Sequence, residues 1–254
     1  MAADTVWNNL CDMPGRRLKS LLLVLSLITW TGSLTAVSAG EITPDGEKLA
    51  ATLDSMHVEQ LWISGRQVNW RTGVADGKVY TNANTHTHCS AFAAAAAERL
   101  GVYLLHPPEH SATLLANAQQ DWLLTAGIKQ GWYQVDSPLK AQELANEGQL
   151  VVVTFKNPKS DVPGHIAIVR PSDKSDQDIL AEGPQIIQAG AQNFSSTTVK
   201  NGFKHHPGAF ENNQVLYFSH VISPSKIALQ ATPEAKSDQS SSLQTSDLTA
   251  GSGK

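Results

Sequence analysis

Thr85-His86-Thr87-His88-Cys89-Ser90-Ala91-Phe92, running on through the alanines Ala93–Ala97 to Leu100, is the stretch around which the chain is organised. A polar loop with two histidines ends at a cysteine, and an alanine run follows. Alanine has the highest intrinsic helix propensity and Gly101 supplies a stop, so a helix is expected with Cys89 at or next to its N-terminus. Unpaired amide N–H groups and the positive end of the helix dipole favour an anion there. A thiol so placed is expected to have a lowered pKa and to act as a nucleophile, and the same N–H groups suit an oxyanion. The alternative for a lone cysteine is a buried, inert core residue. Cys89, Phe92, Ala93, Ala96 and Leu100 share one helix face, and a face so rich in alanine calls for a flat partner such as a β-sheet.

The 254 residues are 41% hydrophobic and 17% charged with a net charge of -4, which places the chain among ordinary globular proteins. A negative balance argues against nucleic acid as a main partner. Arg16, Arg17 and Lys19 precede the apolar run Leu21–Trp30, and Val37-Ser38-Ala39 offers small residues for cleavage. This pattern predicts a secretory signal peptide over 1–39, with Met13 as an alternative start and an uncleaved anchor as the competing reading. The run is short of the roughly 20 residues of a spanning helix, so no stable membrane insertion is expected after cleavage. The expected location is periplasmic or extracellular. Only Cys11 and Cys89 are present. Loss of the leader would leave one unpaired thiol in an oxidising compartment, where catalysis is the leading reason to keep it. Residues 224–254 are rich in Ser, Gln, Thr and Lys and lack aromatics, so they read as a disordered polar tail. The segment 40–223 has the size of one domain. No oligomer signal is present, and a monomer is expected.

Within that domain, Thr43-Pro44 reads as a cap and first residue of a helix over 44–57. Leu61-Trp62-Ile63 and Val68-Asn69-Trp70 read as extended segments about a turn. Their tryptophans suit either a substrate groove or the core, and Lys78-Val79-Tyr80 leads into the cysteine loop. Trp70 and Tyr80 are taken as candidate substrate contacts. A helix over 111–126 is predicted with the stripe Leu114, Leu115, Ala118 and Trp122. Ser137-Pro138 opens another helix, and Gly148 stops it. Strands are predicted at Val151–Phe155, His165–Val169, Gln185–Ala189 and Gln214–Ser219. Helices followed by closely linked strands indicate an α+β domain with a mostly antiparallel sheet.

A cysteine opening a helix, the strand Gly148-Gln149-Leu150-Val151, and the run Gly164-His165-Ile166-Ala167-Ile168-Val169 together resemble the papain-like peptidoglycan amidases and peptidases of the CHAP and NlpC/P60 group. The match covers roughly residues 80–220. It departs from the group at His88, where an acidic or amide residue usually precedes the cysteine. The resemblance implies a papain-like fold, with N-terminal helices packed on the sheet. It implies Cys89 as nucleophile, His165 as base, and either Gln188 or Asn193 as the group that orients the imidazole. Asn84 or His88 would assist the oxyanion. The implied substrate is an amide bond in the stem peptides of peptidoglycan, and no cofactor or metal is expected.

Two other classes compete. His86, His88 and Cys89 could ligate zinc, although no Cys-x-x-Cys or His-Glu-x-x-His accompanies them. A non-catalytic cell-envelope binding module on the same fold is the other, since a fold does not fix an activity. His205-His206 lies in a Lys, Pro and Gly context and is expected to be solvated.

Overall fold

A computed structural model describes residues 40–82 and 86–223, so the expected leader and tail lie outside the described residues. Its first helix, α1 (Pro44–Asp54), begins as the sequence predicts: the Thr43 hydroxyl accepts from the Gly46 N–H at 3.1 Å, and Pro44 sits where no amide hydrogen is required. Two short strands follow, β1 (Arg66–Val68) and β2 (Ala75–Val79), paired as a separate hairpin. Then come α2 (Cys89–Arg99), α3 (Leu115–Leu123), β3 (Tyr133–Val135) and α4 (Pro138–Asn146). The remaining elements are β4 (Leu150–Phe155), β5 (His165–Val169), α5 (Asp176–Glu182), β6 (Gln185–Gln188), β7 (Phe194–Thr198), α6 (Val199–Gly202) and β8 (Leu216–His220). Six strands form one sheet in the order β3-β8-β4-β5-β6-β7, with every pairing antiparallel. The fold is α+β. No helix among the described residues is long and apolar enough to cross a membrane.

The central strands are buried on both faces, which explains their near-continuous β-branched sequence. Val152, Ile166, Ile168, Ile187 and Phe218 point to one side, into a core shared with α1, α2 and Trp62. Val151, Val153, Ala167, Val169 and Ile186 point to the other, against α4 and the segment Val199–Ala209. α2 lies on the first face and is buried from Cys89 to Ala97. Its burial is therefore all-round rather than one-sided as the sequence implied. Phe92 meets the Trp62 ring edge-on, with centroids 5.2 Å apart.

Several elements differ from expectation. Trp62 has φ 53°, a turn rather than a strand, and its ring lies under Gly73. α3 is shorter than 111–126 because Leu114 adopts the left-handed region (φ 56°) and starts the helix late. The inward residues of α3 then include Leu115, Ala116, Gln119 and Leu123, while Trp122 is only partly buried. α4 has the expected Ser137 cap and a stop at Gly148, whose φ of 90° favours glycine.

The loop between β4 and β5 is fixed by α3. Asn117 donates to the Val162 carbonyl at 3.0 Å and accepts from the Asn157 N–H at 3.3 Å. Gly164 closes this loop where no side chain fits. A Cβ there would lie 2.0 Å from the Phe155 carbonyl oxygen and 2.5 Å from Asn117 Oδ1. Gly164→Ala must displace the strand start that carries His165, and a loss of about 2 kcal/mol or more is expected in urea unfolding. A loss below about 0.5 kcal/mol would show that the loop is not so confined.

Candidate active site

Cys89 is the first residue of α2, with His88 at the cap position making no capping hydrogen bond through its side chain. The thiol is 6% exposed. Burial pushes its pKa up, opposed by the N–H groups of Ile166, Ser90 and Cys89 itself and by the Ser90 side chain. The expected lowering at a helix N-terminus is thus present in kind, but burial outweighs it and the net direction is upward. His165 is not among the groups that act on the sulfur. The contact with β5 runs instead through the Ile166 N–H, the peptide unit next to the imidazole-bearing residue.

His165 is the first residue of β5 and is 5% exposed. Its Nε2 lies 2.9 Å from Gln188 Oε1 at the end of β6. Gln188 Nε2 donates in turn to the Gln192 carbonyl at 3.2 Å, which fixes which way the amide faces. Oε1 can only accept, so the ring proton sits on Nε2, and Nδ1 of the neutral ring carries the lone pair. Among the described residues Nδ1 has no hydrogen-bond partner. Burial lowers the His165 pKa to about 4, with the Gln188 hydrogen bond opposing. The resting site therefore holds a neutral thiol and a neutral imidazole near pH 7.

Strand alternation sets a further condition. His165 and Gln188 fall on the second face of the sheet, with Ala167 and Ile186, whereas Cys89 belongs to the first. His165 opens β5 at one end of the sheet. Here a cleft of about 1040 Å³ is lined by His165, Gln188, Gly190 and the preceding-loop residue Thr87, but not by Cys89.

The other candidates are placed as follows. Asn193 does not reach the imidazole. Its Nδ2 donates to the carbonyls of Val58 (2.7 Å) and Leu61 (2.9 Å), and its Oδ1 accepts from the Gly190 N–H, tying the β6–β7 turn to the segment after α1. His88 Nε2 lies 2.8 Å from the Arg66 carbonyl, so that donor is engaged with the β1–β2 hairpin rather than directed at an oxyanion. Tyr80 stacks on His86 at 3.5 Å, and Trp70 stacks on His106 at 4.5 Å under Arg71; neither lines the cleft. Asn84 lies outside the described residues. His86 and His88 are thus directed to different partners, and among the described residues no group of three His, Cys, Asp or Glu could hold a metal.

One residue was misread in the sequence. His206 is not solvated but half-buried, its ring stacked on His165 at 5.3 Å and 17°. Phe203 meets the His165 ring edge-on at 4.7 Å. Burial, then the neighbouring His165 and His205, lower the His206 pKa to about 4. No local pattern marks this role, because α6 is a single turn and the histidine pair follows it in an irregular segment. No protein-family model matches the chain, and a search of curated proteins found no match.

The His165 shift has a consequence for stability. Its native pKa of about 4 lies below the ordinary 6.5, so the unfolded chain binds more protons than the native one in that window. Stability should fall as pH drops from 6.5 towards about 4. Urea unfolding at pH 7 and pH 4 should show that His165→Gln reduces this acid-induced loss by roughly 2–3 kcal/mol. An equal loss in both proteins would contradict a neutral, buried ring.

Proposed function

We propose that the chain is a papain-like cysteine hydrolase of amide bonds. The observation that carries this reading is the relay from the Gln192 carbonyl through Gln188 to His165, on a strand whose next N–H reaches the Cys89 sulfur. The order also agrees with the resemblance: a cysteine at a helix N-terminus, a histidine opening an antiparallel strand, and an amide ending the next.

The residue chemistry then follows. His165 Nδ1 takes the Cys89 proton as the sulfur attacks the amide carbonyl, because the fixed tautomer leaves Nδ1 as the basic nitrogen. Gln188 stabilises the resulting imidazolium by accepting from Nε2 and keeps the ring from rotating. The Cys89 and Ser90 N–H groups at the start of α2 hold the oxyanion. The imidazolium returns its proton to the departing amine, and water attacks the thioester to release the acid and free thiol. A buried neutral pair of this kind works as a general base and nucleophile, not as a preformed ion pair. The leader-like sequence pattern before Gly40, together with the family resemblance, supports peptidoglycan stem peptides as the substrate.

A binding module on the same fold is favoured by one observation: Cys89 is buried outside the cleft lining, with a raised pKa. Release of soluble peptides from purified peptidoglycan separates the two readings. Cys89→Ser should abolish release without shifting the unfolding midpoint. Gln188→Ala should lower turnover about tenfold or more, and chelators should have no effect. Asn193→Ala should lower stability with turnover little changed. Activity that survives Cys89→Ser would overturn the hydrolase reading.

A further inference from the structure

The cleft beside His165 has an unusual charge distribution for a chain of net charge -4. Lys159, from the loop before β5, and Lys204, from the segment after α6, both line it, and no lining residue carries a carboxylate. Several other lysines around the fold are paired. Lys156, three residues before Lys159, is held by Asp121 at 2.7 Å, and Lys48, Lys140 and Lys174 have carboxylate partners at 2.9, 2.9 and 3.2 Å. Among the described residues no carboxylate lies within ion-pair distance of Lys159 or Lys204; the Lys204 ammonium lies 5.8 Å above the Phe194 ring.

Burial holds the imidazoles of His165 and His206 neutral near pH 7, and the two lysines carry fixed positive charge. Between them lie apolar surfaces such as Phe155, Val162 and Pro163, with Gln192 and Gln214 among the polar groups. A concave, half-apolar site bounded by cations of one sign focuses its field on an anion. Its volume of about 1040 Å³ suits a short peptide rather than a single ion.

We infer that this cleft receives an acidic peptide whose carboxylates pair with Lys159 and Lys204. The inference rests on the hydrolase reading only in that it names the substrate class of that site.

The test is calorimetric binding to the full chain carrying Cys89→Ser. Three probes are used: a peptidoglycan stem peptide with free carboxylates, the same peptide with its carboxylates amidated, and tetraglutamate. At low salt the free stem peptide should bind about tenfold tighter than the amidated one, and added salt should shrink the difference. Lys159→Ala with Lys204→Ala should remove the preference, and Lys159→Glu with Lys204→Glu should reverse it. Lys129→Ala, outside the cleft, should leave it unchanged. Equal binding of both stem peptides, no binding of any probe, or a preference that survives the double substitution would overturn the inference. Cys89-dependent hydrolysis without any acid preference would remove this inference and leave the hydrolase reading. Lysine-dependent binding of tetraglutamate with no hydrolysis by the unsubstituted chain would do the reverse.

Discussion

Five consecutive alanines, Ala93–Ala97, let α2 sit against β5 and β6 with its backbone close to the sheet. A larger side chain at any inward position would push the helix away and leave gaps that a close-packed interior does not tolerate. Most of the site depends on this approach. It sets Cys89 at the end of a helix enclosed on all sides and brings its sulfur to the Ile166 N–H. Arg99, in the last turn, leaves the helix to emerge only at its C-terminal end. Gln119 of α3 secures the other flank, donating to the carbonyls of Ser90 and Leu105 at 3.0 and 2.9 Å.

Enclosure has an electrostatic consequence. Amide N–H groups at a helix start favour a thiolate, but a fully enclosed sulfur loses the solvation that an anion needs. Burial also keeps the His165 and His206 rings neutral. The same dehydration therefore acts in opposite directions on acid and base, raising the one and lowering the other. What remains is a neutral donor and a neutral acceptor with a fixed tautomer, and Gln188 as the hinge between the ring and the Gln192 carbonyl. A neutral amide suits this position, since a buried carboxylate would itself need a compensating charge.

Much of the scaffold was legible in the sequence because long β-branched runs and strong caps leave few alternatives. β4, β5 and α4 are of this kind. The misses are short or polar. β2 is exposed along its whole length and shows no alternation, and β7 is a Ser and Thr strand at the sheet edge. α3 begins later than expected because Leu114 adopts the left-handed region, which the apolar stripe does not reveal. At the site, the family resemblance implied Cys89, His165 and one of two amides, and spacing along the chain did not distinguish Gln188 from Asn193. The distinction is tertiary: Asn193 satisfies carbonyls of the segment after α1, more than 130 positions away in sequence. The direction of the thiol shift was misjudged for the same reason, because a helix terminus is visible in sequence and its burial is not.

The account depends most on cooperation between Cys89 and His165, which stand on opposite faces of one sheet end. Its most direct test is the alkylation rate of Cys89 by iodoacetamide in the folded protein at pH 6, in a Cys11→Ser background, with and without His165→Ala. An unassisted thiol with a pKa of about 8.5 or above is almost wholly protonated there. The account predicts measurable alkylation that drops about tenfold or more when the imidazole is removed. Equal rates in the two proteins, or reaction only after unfolding, would contradict it and make Cys89 a core residue.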